Sequence, residues 1–211
     1  MMPRFWKLCA PVLALLAAPA LAQEAAEAPP PLSADAPRVA LDTSAGRIVV
    51  AVETDRAPVT ANNFLRYVDR GKLDGTRFYR VVKVQDRFGF VQFGVNGEGS
   101  RILPPIAHEP TSETGLSHFD GTLSIARLDP GTARGEFLIM LGDQRPTFDA
   151  DPDREYEPLG NAAFGRVVEG MDVVLAIFDA PVSPDKTVRG AFKGQVPEAA
   201  VTIRRAHRLQ P

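Results

Sequence analysis

Phe78-Tyr79-Arg80-Val81-Val82 is an aromatic and β-branched run with one cation inside it. Such residues suit a pleated strand, and alternation sends Arg80 to one face of a sheet while its neighbours fill the other. Three more runs share that character: Phe90-Val91-Gln92-Phe93-Gly94, Thr122-Leu123-Ser124-Ile125-Ala126 and Glu136-Phe137-Leu138-Ile139-Met140. Working outward, eight short apolar or alternating runs can be counted, at 39–43, 47–52, 78–84, 90–94, 122–126, 136–140, 163–168 and 201–207. Ser44-Ala45-Gly46 joins the first two as a short hairpin connection. Two segments carry helical spacing instead. Pro58 opens one, with Ala61, Phe64, Leu65 and Val68 on one face; Met171, Val174, Leu175 and Phe178 form the other after Gly170. Many strands with two helices predict an antiparallel barrel whose open ends the helices close, although periodicity alone leaves a sandwich open.

The four quoted runs, in their order, resemble the motif segments of the cyclophilin-type peptidyl-prolyl isomerases. Family members typically read Phe-His-Arg-Val-Ile, then Phe-Met-Ile-Gln-Gly-Gly, then Ser-Met-Ala-Asn or Ser-Met-Ala-Arg, then Ser-Gln-Phe-Phe-Ile. The resemblance spans roughly Val39 to Leu209. It implies a mainly β fold: a closed eight-stranded antiparallel barrel capped by two α-helices, over 38–211, with the binding groove on its outside.

Rotating an X–Pro bond means crossing a barrier of about 18–20 kcal/mol set by amide resonance. A catalyst needs no covalent intermediate, cofactor or metal for this; it needs a site that prefers the twisted amide to either planar isomer. Twisting gives the proline nitrogen a lone pair, which a rigid cationic donor beside a dry pocket stabilises. Arginine suits the task, being always charged and offering several donors in a fixed fork. The resemblance puts Arg80 in that role. Phe90 and Gln92 lie two apart and share a face, as do Glu136 and Leu138, while Phe137 between them matches a core position. By the same resemblance Phe90, Gln92, Glu136 and Leu138 line the substrate groove, Phe90 and Leu138 forming the proline pocket and Gln92 holding the substrate backbone and Arg80. Ala126 and Arg127 border the groove, the main chain at Arg127 pairing an extended peptide. Without the resemblance, Phe90 and Leu138 read equally well as ordinary core, and Arg80 as half of a surface ion pair.

Several positions depart from the family pattern. Leu138 stands where a pocket phenylalanine is usual and Phe90 where a methionine is usual, so the aromatic ring has crossed the pocket. Glu136 replaces a glutamine and is placed to pair with Arg80, damping its donation. Phe93 and Val95 replace small residues. An insertion, Lys83 to Arg87, lengthens the Arg80–Gln92 spacing by some four residues and leaves Phe88 unaligned. Asn161 sits at about the position of the family's groove histidine; Tyr156 or Leu159 stands near that of its tryptophan. A non-catalytic cyclophilin-fold module that binds proline-containing segments, or acts as a chaperone, therefore stays open beside the enzyme. A lipocalin-like carrier is the third reading, and the large inward residues argue against it.

The ends carry their own signals. Arg4 and Lys7, the apolar stretch Leu8 to Ala18 and Ala20-Leu21-Ala22 read as a cleaved signal peptide over 1–22. The apolar stretch is too short and Pro-interrupted for a membrane span. Cys9, the one cysteine, would leave with it, excluding disulfides and thiolate chemistry from the mature chain. Residues 23–37, with Pro29-Pro30-Pro31, read as a disordered Ala/Pro-rich tether. Losing Arg4 and Lys7 takes the formal net charge from −2 to −4. No basic stripe appears, which excludes nucleic acid as a partner. The expected partners are unfolded or extended proline-containing polypeptides, met by a monomer in the periplasm or outside the cell. Asp149-Ala150-Asp151-Pro152-Asp153 lacks the glycine and glutamate of a calcium loop and reads as a solvated acidic loop. His118, Asp120 and Ser124 lie close in sequence, but neighbours along one strand rarely meet in triad geometry.

Overall fold

Alternating side chains need a sheet to bury one face, and all eight runs find one. In the computed structural model, which describes residues 28–210, the first strands are β1 (Arg38–Thr43) and β2 (Arg47–Val52). Helix α1 (Pro58–Asp69) follows, then the β3 (Arg77–Gln85) and β4 (Phe88–Gly94) hairpin. A single turn, α2 (Thr111–Thr114), precedes β5 (Thr122–Ile125) and β6 (Glu136–Leu141). Another, α3 (Arg145–Phe148), precedes β7 (Ala162–Glu169) and α4 (Met171–Asp179). The two-residue strands β8 (Val182–Ser183) and β9 (Val196–Pro197) pair apart from the main sheet, and β10 (Ile203–Arg208) ends the chain. The short elements α2, α3, β8 and β9 were not expected, because two to four residues carry no measurable period.

The sheet runs β10-β1-β2-β7-β5-β6-β4-β3, every pair antiparallel. It curls until its edges meet in one bridge, Arg77 to Thr202, where Phe78 N–H donates to Val201 O at 2.9 Å and Ile203 N–H to Thr76 O at 2.8 Å. Inside, Phe64 of α1 meets Phe137 edge-on at 5.0 Å, and Phe137 also touches Tyr67, Phe93 and Phe164. All five rings are fully buried. Among the described residues these rings fill the interior, which argues against a carrier of the lipocalin kind.

The segment expected as a signal peptide, 1–22, and residues 23–27 lie outside the described residues. From residue 28 to 37 the chain forms no helix or strand, yet it is held rather than free. Ser33 donates to the Glu53 carboxylate through its N–H (3.1 Å) and its hydroxyl (2.6 Å), and Arg56 Nη2 donates to Pro31 O at 3.0 Å. Burial works against the ionised form of Glu53, but hydrogen bonds from Arg56 and Ser33 and the charge of Arg56 outweigh it, holding the carboxyl below its ordinary range. Pro29, Pro30 and Leu32 lie in a cleft beside Leu116, Phe119 and Ala163. Among the described residues no helix is long and apolar enough to cross a membrane.

Candidate active site

A register row across four strands places the site. Arg80 on β3 pairs with Gln92 on β4, Gln92 with Leu138 on β6, and Leu138 with Ser124 on β5. Their neighbours Val81, Val91, Phe137, Ile139, Leu123 and Ile125 belong to the interior cluster, so this row occupies the outer face. A bulge between Phe78 and Arg80 lets Phe78 turn inward and Arg80 outward. The insertion from Lys83 to Arg87 extends the β3–β4 hairpin and shifts register again between Lys83 and Gln85. It therefore leaves the Arg80–Gln92 pair intact. Phe88 sits at the hairpin's far end against Gly142, where a Cβ would come within 2.7 Å of its ring.

Arg80 is half-buried and held entirely by neutral groups. Its Nη1 donates to Gln92 Oε1 at 3.2 Å and its Nε to Gln195 Oε1 at 2.7 Å. The guanidinium carbon lies 4.0 Å from the Phe192 ring centre and 5.3 Å from that of Phe90. Burial draws Arg80 below the usual guanidinium value, from a starting point so high that the group stays charged. Phe90 meets Phe148 of α3 edge-on at 5.8 Å. Leu138 is buried although it faces away from the interior.

Glu136 does not pair with Arg80, contrary to expectation. Tyr79 O–H donates to its Oε2 at 2.7 Å and Gly97 N–H to its Oε1 at 3.2 Å, which turns the carboxylate to the 96–97 side. The bulge that aims Arg80 outward also brings Tyr79 to this face, which parity alone does not foresee. Burial raises both the Glu136 and the Tyr79 pKa above their ordinary values, the acid's charge reinforcing the rise at Tyr79. Glu136→Gln keeps an oxygen for Tyr79 and is expected to hold kcat/KM within about twofold of wild type. A loss of about tenfold or more in that variant would put the carboxylate's charge back into the chemistry.

Ala126 sits half-buried at the end of β5, its N–H bonded to Glu136 O at 2.8 Å. The Arg127 side chain, expected to border the groove, turns into the neighbouring loop. Its Nη2 donates to Glu157 Oε2 at 2.7 Å and to Gly160 O at 2.5 Å. Asn161 Nδ2 donates to Ile125 O at 3.1 Å, which ties the same loop to β5. Tyr156 and Leu159 are both exposed, and His108 Nε2 contacts Leu159 O at 3.2 Å. Phe93 and Val95 are buried in the interior cluster.

His118 and Ser124, expected to stay apart, meet. His118 Nε2 lies 2.9 Å from Ser124 Oγ and Nδ1 lies 2.6 Å from Asp149 Oδ1, so the acid is Asp149 instead of Asp120. The turn at 119–121, with Gly121 at φ 77, folds His118 back onto β5. Burial lowers the His118 pKa, which the Asp149 bond only partly offsets. A neutral ring with its proton on Nδ1 donates to Asp149 and accepts from Ser124, whose hydroxyl also lies 3.2 Å from Ala162 O. His118 and Ser124 are fully buried, so the array braces β5 and presents no nucleophile to solvent. Asp149, expected in a solvated loop, is the brace's far end.

Residues 38–208 match the family model described as cyclophilin type peptidyl-prolyl cis-trans isomerase/CLD. The chain is 38% identical to peptidyl-prolyl cis-trans isomerase cyp18 of Streptomyces antibioticus, over 66% of this chain and 81% of that protein. It is 35% identical to peptidyl-prolyl cis-trans isomerase A of Dickeya dadantii (strain 3937), over 64% of this chain and 67% of that one. Its backbone superposes on a cyclophilin type peptidyl-prolyl cis-trans isomerase of Cryptosporidium parvum with a TM-score of 0.62 at 18% identity, covering 83% and 99% of the two chains.

Proposed function

Because the chain belongs to the cyclophilin-type peptidyl-prolyl cis-trans isomerase family, we propose that it catalyses X–Pro rotation by holding a half-rotated imide against Arg80. The observation that carries this is the neutral cradle: the guanidinium lies on the outer face, beside Phe90, with no ion pair among the described residues. Its charge is thus available to the lone pair that appears on the proline nitrogen only as the amide twists, and a donor aimed there favours the transition state over both planar isomers. Phe90 and Leu138 supply the apolar neighbourhood for the ring. Gln92 holds Arg80 and the peptide backbone, and the Arg127 main chain, which has no backbone partner among the described residues, pairs an extended substrate. The non-catalytic peptide-binding reading rests on the altered pocket at Phe90 and Leu138 and on Glu136; the Tyr79 bond turns that carboxylate away from Arg80 and so weakens the second support.

The test is acceleration of cis-to-trans conversion in a short X–Pro peptide, followed by a protease that cleaves only the trans form. An unchanged rate with the pure full domain would overturn the reading. The clients in this reading are exported polypeptides during folding: the 1–22 pattern supports it, and a chain without a thiol once Cys9 is removed suits an oxidising compartment. Expressed whole in a diderm bacterium, the protein is expected in the periplasmic fraction with Gln23 as its first residue. Recovery from the cytosol with residues 1–22 attached would remove the exported role.

A further inference from the structure

Two of the groups around Arg80 come from a loop outside all four motif runs. Between β8 and β9 the chain folds back on itself: Val188 and Ala191 exchange backbone hydrogen bonds of 2.9 Å, and Arg189, Gly190, Phe192 and Gly194 all take positive φ. Phe192 sits at φ 62. That region is sterically costly for a bulky side chain and persists only where the surroundings impose it. Here they do. Gln195 N–H donates to Phe192 O at 3.0 Å, and Gln195 O accepts from Val81 N–H at 2.7 Å, next to Arg80 itself. Arg189 packs its guanidinium on Gly97, where a Cβ would fall 1.5 Å from Nη1. The strained conformation delivers the Phe192 ring to 4.0 Å from the Arg80 guanidinium carbon and Gln195 Oε1 to 2.7 Å from Nε.

We propose that Phe192 and Gln195 are positioning residues for the isomerisation, the ring setting the plane of the Arg80 guanidinium and the amide setting its rotation. The inference deepens the function proposed above and rests on it. A free arginine side chain explores many rotamers, and reaching one productive geometry at the transition state costs that freedom each turnover. A π face and an amide oxygen hold the cation by attraction to its charge without cancelling it. A carboxylate in the place of Gln195 would hold it as well, but as an ion pair competing with the developing lone pair. Both partners are therefore uncharged, and Gln92 on the other side is too.

The test measures kcat and KM of the full mature chain on one X–Pro peptide, with melting temperature alongside. Phe192→Leu, which keeps bulk and removes the π face, is expected to lower kcat about tenfold with KM within about twofold. Phe192→Tyr restores kcat, and Gln195→Glu lowers it to a similar degree with melting unchanged. Wild-type kcat in both Phe192→Leu and Gln195→Glu would overturn the proposal, as would failure of Phe192→Tyr to rescue. Arg80→Ala, run in parallel, separates the causes: its inactivity beside normal loop variants sinks only the loop's role, whereas a normal rate in Arg80→Ala sinks the reading of Arg80.

Discussion

Arg80→Ala is expected to lower kcat/KM by about two to three orders of magnitude, the loss found when one preorganised donor to a developing charge is removed. Among the described residues the site holds no second cation able to take over: the Arg127 side chain is committed to Glu157 and Gly160, and Arg189 lies on Gly97. Folding is expected to survive, because Arg80 lies on the outer face and its two hydrogen-bond partners are neutral: Gln195, half-buried in a loop, and Gln92, buried on β4, which loses one hydrogen bond. The melting temperature should then stay within a few degrees, about the shift that 1 kcal/mol produces in a domain of this size. Arg80→Lys refines the result. It keeps the charge but loses the planar fork that bonds Gln92 and Gln195 together, so an intermediate rate is expected. An Arg80→Ala variant within about twofold of wild type would overturn the mechanism.

Phe137→Ala is expected to cost about 3–5 kcal/mol, the usual range for emptying a buried aromatic site. Phe137 is fully buried and its ring contacts those of Phe64, Tyr67, Phe93 and Phe164, which join α1 to β4, β6 and β7. Because the barrel interior is closed by the sheet, the four neighbours cannot all collapse into the space. Against a total stability of about 5–15 kcal/mol for an ordinary domain, this removes a large part of the margin. Urea unfolding would show it as a lower midpoint at unchanged slope. A midpoint within experimental scatter of wild type would mean that the aromatic cluster is not what joins the helix to the sheet.

Much of this architecture was readable one segment at a time. Phe90 and Gln92 share a face, and Phe137 points opposite to Glu136 and Leu138, as period two requires. Pro58 and Gly170 open the two long helices. Other features hid because no local pattern encodes them. Tyr79 and Arg80 fall on the same face through a bulge, so strict alternation misplaces Tyr79 and with it the partner of Glu136. Arg127 looks like a groove residue until the 157–160 loop folds beside it. His118 meets Asp149 across 31 residues, and Arg80 meets Gln195 across 115.

The outward residues on β4, β6 and β5 were inherent in the chain, because pleating is a property of each strand alone, whereas on β3 a bulge sets which residues join that row. What surrounds that row was decided by closure of the sheet and by the return of the 188–195 loop over β3. Partners far apart along a chain are chosen by packing and by hydrogen bonds that exist only once the domain has folded. For this reason the charge at Arg80 could be recognised from its own segment, while its lack of an acid partner among the described residues emerged only in three dimensions.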